Sequence, residues 1–276
     1  MKRTRRNLLK AAAGAVSWPT AGNANADKPA TVALLHLDPR PGEIEANKRM
    51  IEDAVRRASS NGARVVVSPE LAISGYGFRD LIGTDWIQRQ QGALLAWAAD
   101  LARQSSVFLI LGIPEADGQL FNSMIVFAPD GARIGHHRKI MVLKVGSESW
   151  STAGDSATVL ALGDIGRIGL FVCADMYSKR LVDETAAQGV DLLVSAAAWA
   201  PGHHGPNGEW ERASLATGRP VLVCNRTGHD SLDFGAAQSV AAAEGSVAFS
   251  HSSLESAIIL VDWSPNAHRL SDWRVA

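Results

Sequence analysis

From residue 31 onward the chain alternates short apolar runs with longer amphipathic stretches, and this alternation restricts its fold more than any other feature. Runs at 31–37, 64–68 and 107–113 have the length and side chains of buried strands. Between the first two, residues 42–60 place Ile44, Ile51, Val55 and Ala58 near one face at the helical period, and Asn61-Gly62 stops the helix. A second helix is expected at 94–104. The pattern resumes with strands at 168–172, 192–196 and 221–224, separated by helical stretches near 178–189 and 208–218. Hairpins interrupt it. Residues 122–127 run into the turn Ala128-Pro129-Asp130-Gly131, with a return arm from 132 to 135. The last expected strands are 239–242, 247–250 and 256–261, the first two joined around Glu244-Gly245. Alternation broken by hairpins predicts mixed sheets covered by helices, not a purely parallel doubly wound sheet.

Residues 1–26 stand apart from this pattern. They hold Lys2, Arg3, Arg5, Arg6 and Lys10 and no acidic residue, followed by the mildly apolar run 11–18. Adjacent arginines, two leucines, a lysine and a short apolar run read as a twin-arginine export signal, and Ala24-Asn25-Ala26 supplies a small-x-small cleavage pattern before Asp27. The apolar run is shorter than the roughly 20 residues that span a bilayer. The expectation is therefore an exported, periplasmic protein with a signal at 1–26 and one domain at 27–276, since no repeat or linker follows the signal. The whole chain balances 27 basic against 28 acidic residues. Removing the five basic residues of the signal leaves 22 against 28, a net charge of −6. Such a body lacks the basic excess of a nucleic-acid binder.

Three segments carry residues suited to chemistry. Glu70 follows directly on the run Val65-Val66-Val67-Ser68-Pro69, where open α/β sheets build their sites. Arg138-Lys139 follows the hairpin, within Gly135-His136-His137-Arg138-Lys139-Ile140. Cys173 ends the apolar run Ile168-Gly169-Leu170-Phe171-Val172 and precedes Ala174-Asp175. Taken singly, these read as a capping carboxylate, a solvated basic turn and a small buried hydrophobe. Two cysteines, 173 and 224, are too few for a disulfide framework.

In this order and spacing the three segments resemble the Glu-Lys-Cys signature of the nitrilase superfamily, the carbon-nitrogen hydrolases. Glu148 and Gly154, and the run Asn225-Arg226-Thr227-Gly228, extend the similarity, which covers about residues 30–262. The resemblance implies a four-layer α-β-β-α sandwich with two mixed sheets covered by helices. It also implies a homodimer or larger homo-oligomer, no cofactor and no metal, with a small amide or carbamoyl compound as substrate. By the same resemblance Glu148 orients Lys139 and the substrate, and the segment holding Trp199, His203 and Trp210 contributes pocket contacts, as does Tyr76. Ala174-Asp175 follows the nucleophile where nitrile-hydrolysing members commonly carry Trp-Glu, which favours an amide over a nitrile.

Physical chemistry supports the same assignment. A thiol with a reference pKa of roughly 8.5 needs a base or a cation to act as a nucleophile at neutral pH. Glu70 is suited to take the proton from Cys173. Lys139, with the backbone N–H of Ala174, is suited to receive the negative charge that develops on the attacked group. Glu70 then serves the leaving amine and the hydrolytic water. Other readings stay open at this point: a Cys-His hydrolase, acyl transfer instead of hydrolysis, an inactive binding protein, and a metal-dependent phosphodiesterase. His36, the pair His136-His137 and the pair His203-His204 lack the one-turn spacing of a helical metal motif. Cys224 is expected in the core.

Overall fold

The computed structural model describes residues 29–143, 146–202, 204–230 and 232–276. The signal expected at 1–26 and the pocket candidate His203 lie outside the described residues. The first strand β1 (Ala30–His36) leads through helix α1 (Ile44–Ser60) to β2 (Ala63–Val67). The short α2 (Arg79–Ile82) and the long α3 (Asp85–Ser105) follow, then β3 (Phe108–Asp117), β4 (Gln119–Phe127) and β5 (Arg133–Arg138). The second half holds β6 (Thr158–Ala161), β7 (Arg167–Val172), α4 (Lys179–Ala187), β8 (Leu192–Ala197), α5 (Glu209–Thr217) and β9 (Val221–Asn225). It closes with β10 (Ser239–Ala243), β11 (Ser246–His251), β12 (Ala257–Ser264) and β13 (Arg269–Val275).

These strands form two mixed sheets, ordered β13-β12-β1-β2-β3-β4-β5 and β11-β10-β9-β8-β7-β6. Each is built around a parallel triplet, β1-β2-β3 in one and β7-β8-β9 in the other, with antiparallel strands on both flanks. The sheets face each other, β1 on β9 and both β4 and β5 on β7. Helices α1 and α3 cover the first sheet and α5, with α4 against it, covers the second. This is the expected α-β-β-α sandwich. One continuous apolar core joins the sheets and helices, and the buried Trp263 on β12 donates its indole N–H to the Ile165 carbonyl at 2.8 Å, just before β7.

The expected strands and helices are present with shifted ends, and three further elements appear. Helix α3 begins at Asp85, earlier than its apolar periodicity suggested, because Trp86 and Ile87 anchor an otherwise polar first half. Strand β13 escapes a period-two reading because Asp272 adopts φ 48° and the β12–β13 register shifts between Leu260 and Asp262. Edge strand β6 has only four residues, and α2 has no buried residue to mark it.

The topology brings the carboxyl ends of both parallel triplets together. Loops leaving β2, β7, β8 and β9 therefore converge, which is where open α/β sheets place ligands. Gly112 on β3 makes one of these loops fit: a Cβ there would lie 2.1 Å from the Pro69 carbonyl oxygen, while its N–H donates to Ser68 Oγ at 2.8 Å. Gly112→Ala should push Pro69 and Glu70 outward and lower stability by about 1–3 kcal/mol, the usual cost of overpacking. The midpoint of urea unfolding measures this, and an unchanged midpoint contradicts the close approach.

Candidate active site

Glu70 leaves β2 in a loop whose next residue, Leu71, sits at φ 50°. Its carboxylate is buried. Oε1 accepts from Asn122 Nδ2 at 2.7 Å and from Lys139 Nζ at 2.7 Å, and Oε2 accepts from the Ala198 N–H at 2.9 Å. Lys139 directly follows β5 and is fully buried. Its backbone is pinned on both sides: its N–H donates to the Asn122 carbonyl and its own carbonyl accepts from Gly154, each at 2.8 Å. A Cβ at Gly154 would meet the Arg138 carbonyl oxygen at 2.3 Å, so glycine lets that loop approach. The ammonium also donates to Glu148 Oε1, and Glu148 Oε2 accepts from the Leu143 N–H at 3.2 Å.

Cys173 directly follows β7 and opens a 3-10 turn spanning Cys173–Tyr177, with φ 47° and little exposure. Left-handed backbone at a non-glycine residue costs roughly 1–3 kcal/mol and clusters at functional sites. Ala174 follows it at the N-terminal end of the turn, where backbone N–H groups have no partner within the helix.

Charge is distributed unequally over this cluster. Burial raises the Glu70 carboxyl, but the Lys139 ammonium and the hydrogen bonds it receives hold it below the usual carboxylate range. Burial lifts Glu148, Lys139 pulls it back, and the Glu70 charge lifts it again, to about 7. Burial opposes the charge on Lys139, yet the two carboxylates raise it well above an ordinary lysine. Burial and then the Glu70 charge push the Cys173 thiol well up, against the pull of Lys139 and the Ala198 N–H. At rest the cluster therefore holds an ionised Glu70, an ammonium and a protonated thiol, with Glu148 between its two states near neutral pH.

Of the residues singled out in the sequence, Glu70, Lys139 and Glu148 touch one another, and Cys173 lies within their electrostatic reach. Tyr76 is buried with its ring edge-on to Phe234, 6.0 Å between centroids. Its phenol is raised by burial first and then by the Glu148 and Glu70 charges. Trp199 directly follows Ala198; its N–H donates to Asn225 Oδ1 at 3.0 Å and its indole N–H to the His204 carbonyl at 3.2 Å. The Tyr177 hydroxyl donates to that same carbonyl. Cys224 is fully buried against the Leu35 and Val67 carbonyls, as expected of a core thiol.

Two site residues escaped the sequence reading. Asn122, a buried polar residue inside the apolar strand β4, holds both Glu70 and Lys139. Asp175 appeared only as part of the strand-end motif, although its side chain takes hydrogen bonds from four donors. Of the histidines, His137 is bound to Asp175 and Thr158, His136 to Arg133, and His36 to the end of β9. Among the described residues, no group of three or more His, Cys, Asp or Glu side chains could hold a metal ion.

The sequence profile of the carbon-nitrogen hydrolase family matches residues 31–269. An omega-amidase NIT2 of Mus musculus is 35% identical over 150 residues, 51% of this chain and 53% of that protein. A nitrilase of Pyrococcus abyssi is 29% identical over 169 residues, 60% of this chain and 64% of that one. The matches thus span about half to two-thirds of these relatives. Among solved structures, an amidase from Nesterenkonia sp. superposes with a TM-score of 0.75 at 22% identity, covering 88% of this chain and 93% of that chain, a likeness of fold.

The opposed shifts of the two carboxylates give a signed pH dependence. Between about 4.5 and 7 the folded protein keeps a proton on Glu148 that the unfolded chain releases, so this group's contribution to stability falls as pH rises through that window. Glu70 acts oppositely: its contribution is present above its ordinary carboxylate value and is lost as pH falls through its depressed one. In Glu148→Gln, the decline of the unfolding midpoint between pH 4.5 and 7 should flatten. A decline as steep as in the parent protein contradicts the assignment.

Proposed function

The chain belongs to the carbon-nitrogen hydrolase family, and on that premise we propose that it hydrolyses a linear, non-peptide amide or carbamoyl C–N bond through a thioester on Cys173. The observation that carries this reading is the buried Glu70–Lys139–Glu148 cluster within electrostatic reach of a strained, protonated thiol. Isolated buried charge is costly, and perturbed acids and bases of this kind concentrate at reactive sites.

The residues divide the chemistry among them. As the substrate carbonyl approaches, Glu70 takes the thiol proton while Cys173 Sγ bonds to the carbonyl carbon. Negative charge moves to the carbonyl oxygen, where the Lys139 ammonium and the Ala174 N–H stabilise it. Collapse of this intermediate breaks the C–N bond, and Glu70 passes its proton to the leaving nitrogen. Ammonia or an amine departs and leaves the thioester. Glu70 then removes a proton from water, the water oxygen attacks the thioester carbon, and the C–S bond breaks. The proton returns from Glu70 to Cys173 Sγ as the acid leaves. Water is the only co-reactant this cycle consumes.

Glu148 keeps Lys139 in place and, near neutrality, lets the cluster carry one positive against one to two negative charges. Tyr76 and Trp199 are proposed to wall the acyl side of the pocket. The reading includes export of the folded enzyme to the periplasm, supported by Arg5-Arg6, Leu8-Leu9 and Lys10.

The test is ammonia release from a panel of small amides, carbamoyl amines and nitriles. Cys173→Ala should lose turnover while keeping its unfolding midpoint. Glu70→Gln should fall by about 10²–10⁴-fold, as general acid–base residues do. Turnover retained by Cys173→Ala overturns the proposal. Added hydroxylamine should divert product to a hydroxamate in proportion to its concentration.

A further inference from the structure

The turn that carries Cys173 and the strand end that carries Lys139 belong to different sheets, and a single carboxylate ties them together. Asp175 Oδ2 accepts from the Val172 N–H at 2.9 Å, the residue directly before Cys173. Its Oδ1 accepts from the Ile140 N–H at 2.9 Å and the Met141 N–H at 2.8 Å, the residues directly after Lys139. The fourth donor is His137 Nε2 at 2.9 Å, two residues before Lys139. Asp175 and His137 are both fully buried.

A carboxylate only accepts, so His137 carries its proton on Nε2 toward Asp175. The other ring nitrogen, Nδ1, meets Thr158 Oγ1 at 3.1 Å on β6. The chain Thr158–His137–Asp175 thus starts at the half-buried edge of the second sheet, crosses β5 of the first, and ends in the Cys173 turn.

Resting on the amide-hydrolase reading, we infer that Asp175, oriented by His137, is a positioning residue that sets the Lys139 ammonium against the Cys173 thiol. It reaches neither Glu70 nor Glu148 among its hydrogen bonds, and acts only through the backbone on either side of the two reacting side chains. A displacement of about 1 Å at such a site costs roughly a hundredfold in rate. Ground-state contacts with substrate are untouched, so the loss belongs in kcat and not in KM.

Three variants of the full chain test this: His137→Leu removes the donor to Asp175, His137→Gln supplies an amide N–H in its place, and Thr158→Val removes the outer end of the relay. Each is measured for kcat and KM on the best amide from the panel, for the rate of Cys173 alkylation by iodoacetamide read by peptide mass, and for its unfolding midpoint. In His137→Leu, kcat should fall about tenfold or more with KM within about threefold, and alkylation should slow by about tenfold because the thiolate loses its cation. His137→Gln should recover most of both. Thr158→Val should lower kcat by about threefold. Should His137→Leu fail to fold, Thr158→Val decides, and parent-like kcat and alkylation there overturn the inference. Parent-like values in folded His137→Leu, or losses in His137→Gln equal to those in His137→Leu, also overturn it. If the parent protein hydrolyses no amide, the functional reading fails, while alkylation, which needs no substrate, still decides the positioning role.

Discussion

One buried ammonium organises this molecule. Lys139 has no access to water and rests between two carboxylates that are equally enclosed. Taking three ionisable groups out of water costs several kcal/mol per ion before their mutual attraction is counted, and well-packed apolar residues of the same volume commonly give an equal or more stable fold. Stability therefore gives no reason for the cluster. The proposed reactivity does, because a fixed cation in a dry site acts on developing negative charge far more strongly than the same cation in water.

The rest of the structure follows from assembling that cluster from distant parts of the chain. Two sheets, each with a parallel triplet, are laid so that the carboxyl ends of β2 and β7 meet. Glu70 arrives on one, Cys173 on the other, and Lys139 enters from the edge strand β5. No one element holds all three, so the alignment depends on ties within and between sheets: Asn122 on both Glu70 and Lys139 within the first sheet, and, between the two, the Ala198 N–H on Glu70 and Asp175 linking the Cys173 turn to the residues after Lys139. At the rim, the buried Arg226 holds Asp230 at 2.6 Å, and Asp230 accepts from the Gly77 N–H at 3.0 Å beside Tyr76.

Much of this was legible in the sequence, for identifiable reasons. Buried strands such as 64–68 and 168–172 announce themselves by continuous apolar runs, and the helix at 42–60 by its period. Glu70, Lys139 and Cys173 were readable because their motifs keep order and spacing. What escaped depended on other principles. Strand β13 is an exposed edge with a bulge at Asp272, which erases the alternation a strand reading needs. Asn122 looked like one polar residue in an apolar strand, and only the pairing of β4 with β3 and β5 places it over Glu70. Asp175 stood in plain view, but its four hydrogen bonds, three of which cross between sheets, cannot be read from a linear spacing.

On the proposed mechanism Cys173 forms a covalent bond to the acyl group during turnover. Rapid quenching of the enzyme in acid during hydrolysis of a slow amide, followed by intact mass and peptide mapping, tests it directly. The expected result is a mass increase equal to the acyl group less one hydrogen, located on the peptide containing Cys173. Turnover with no adduct at any quench time, or an adduct on another residue, contradicts it.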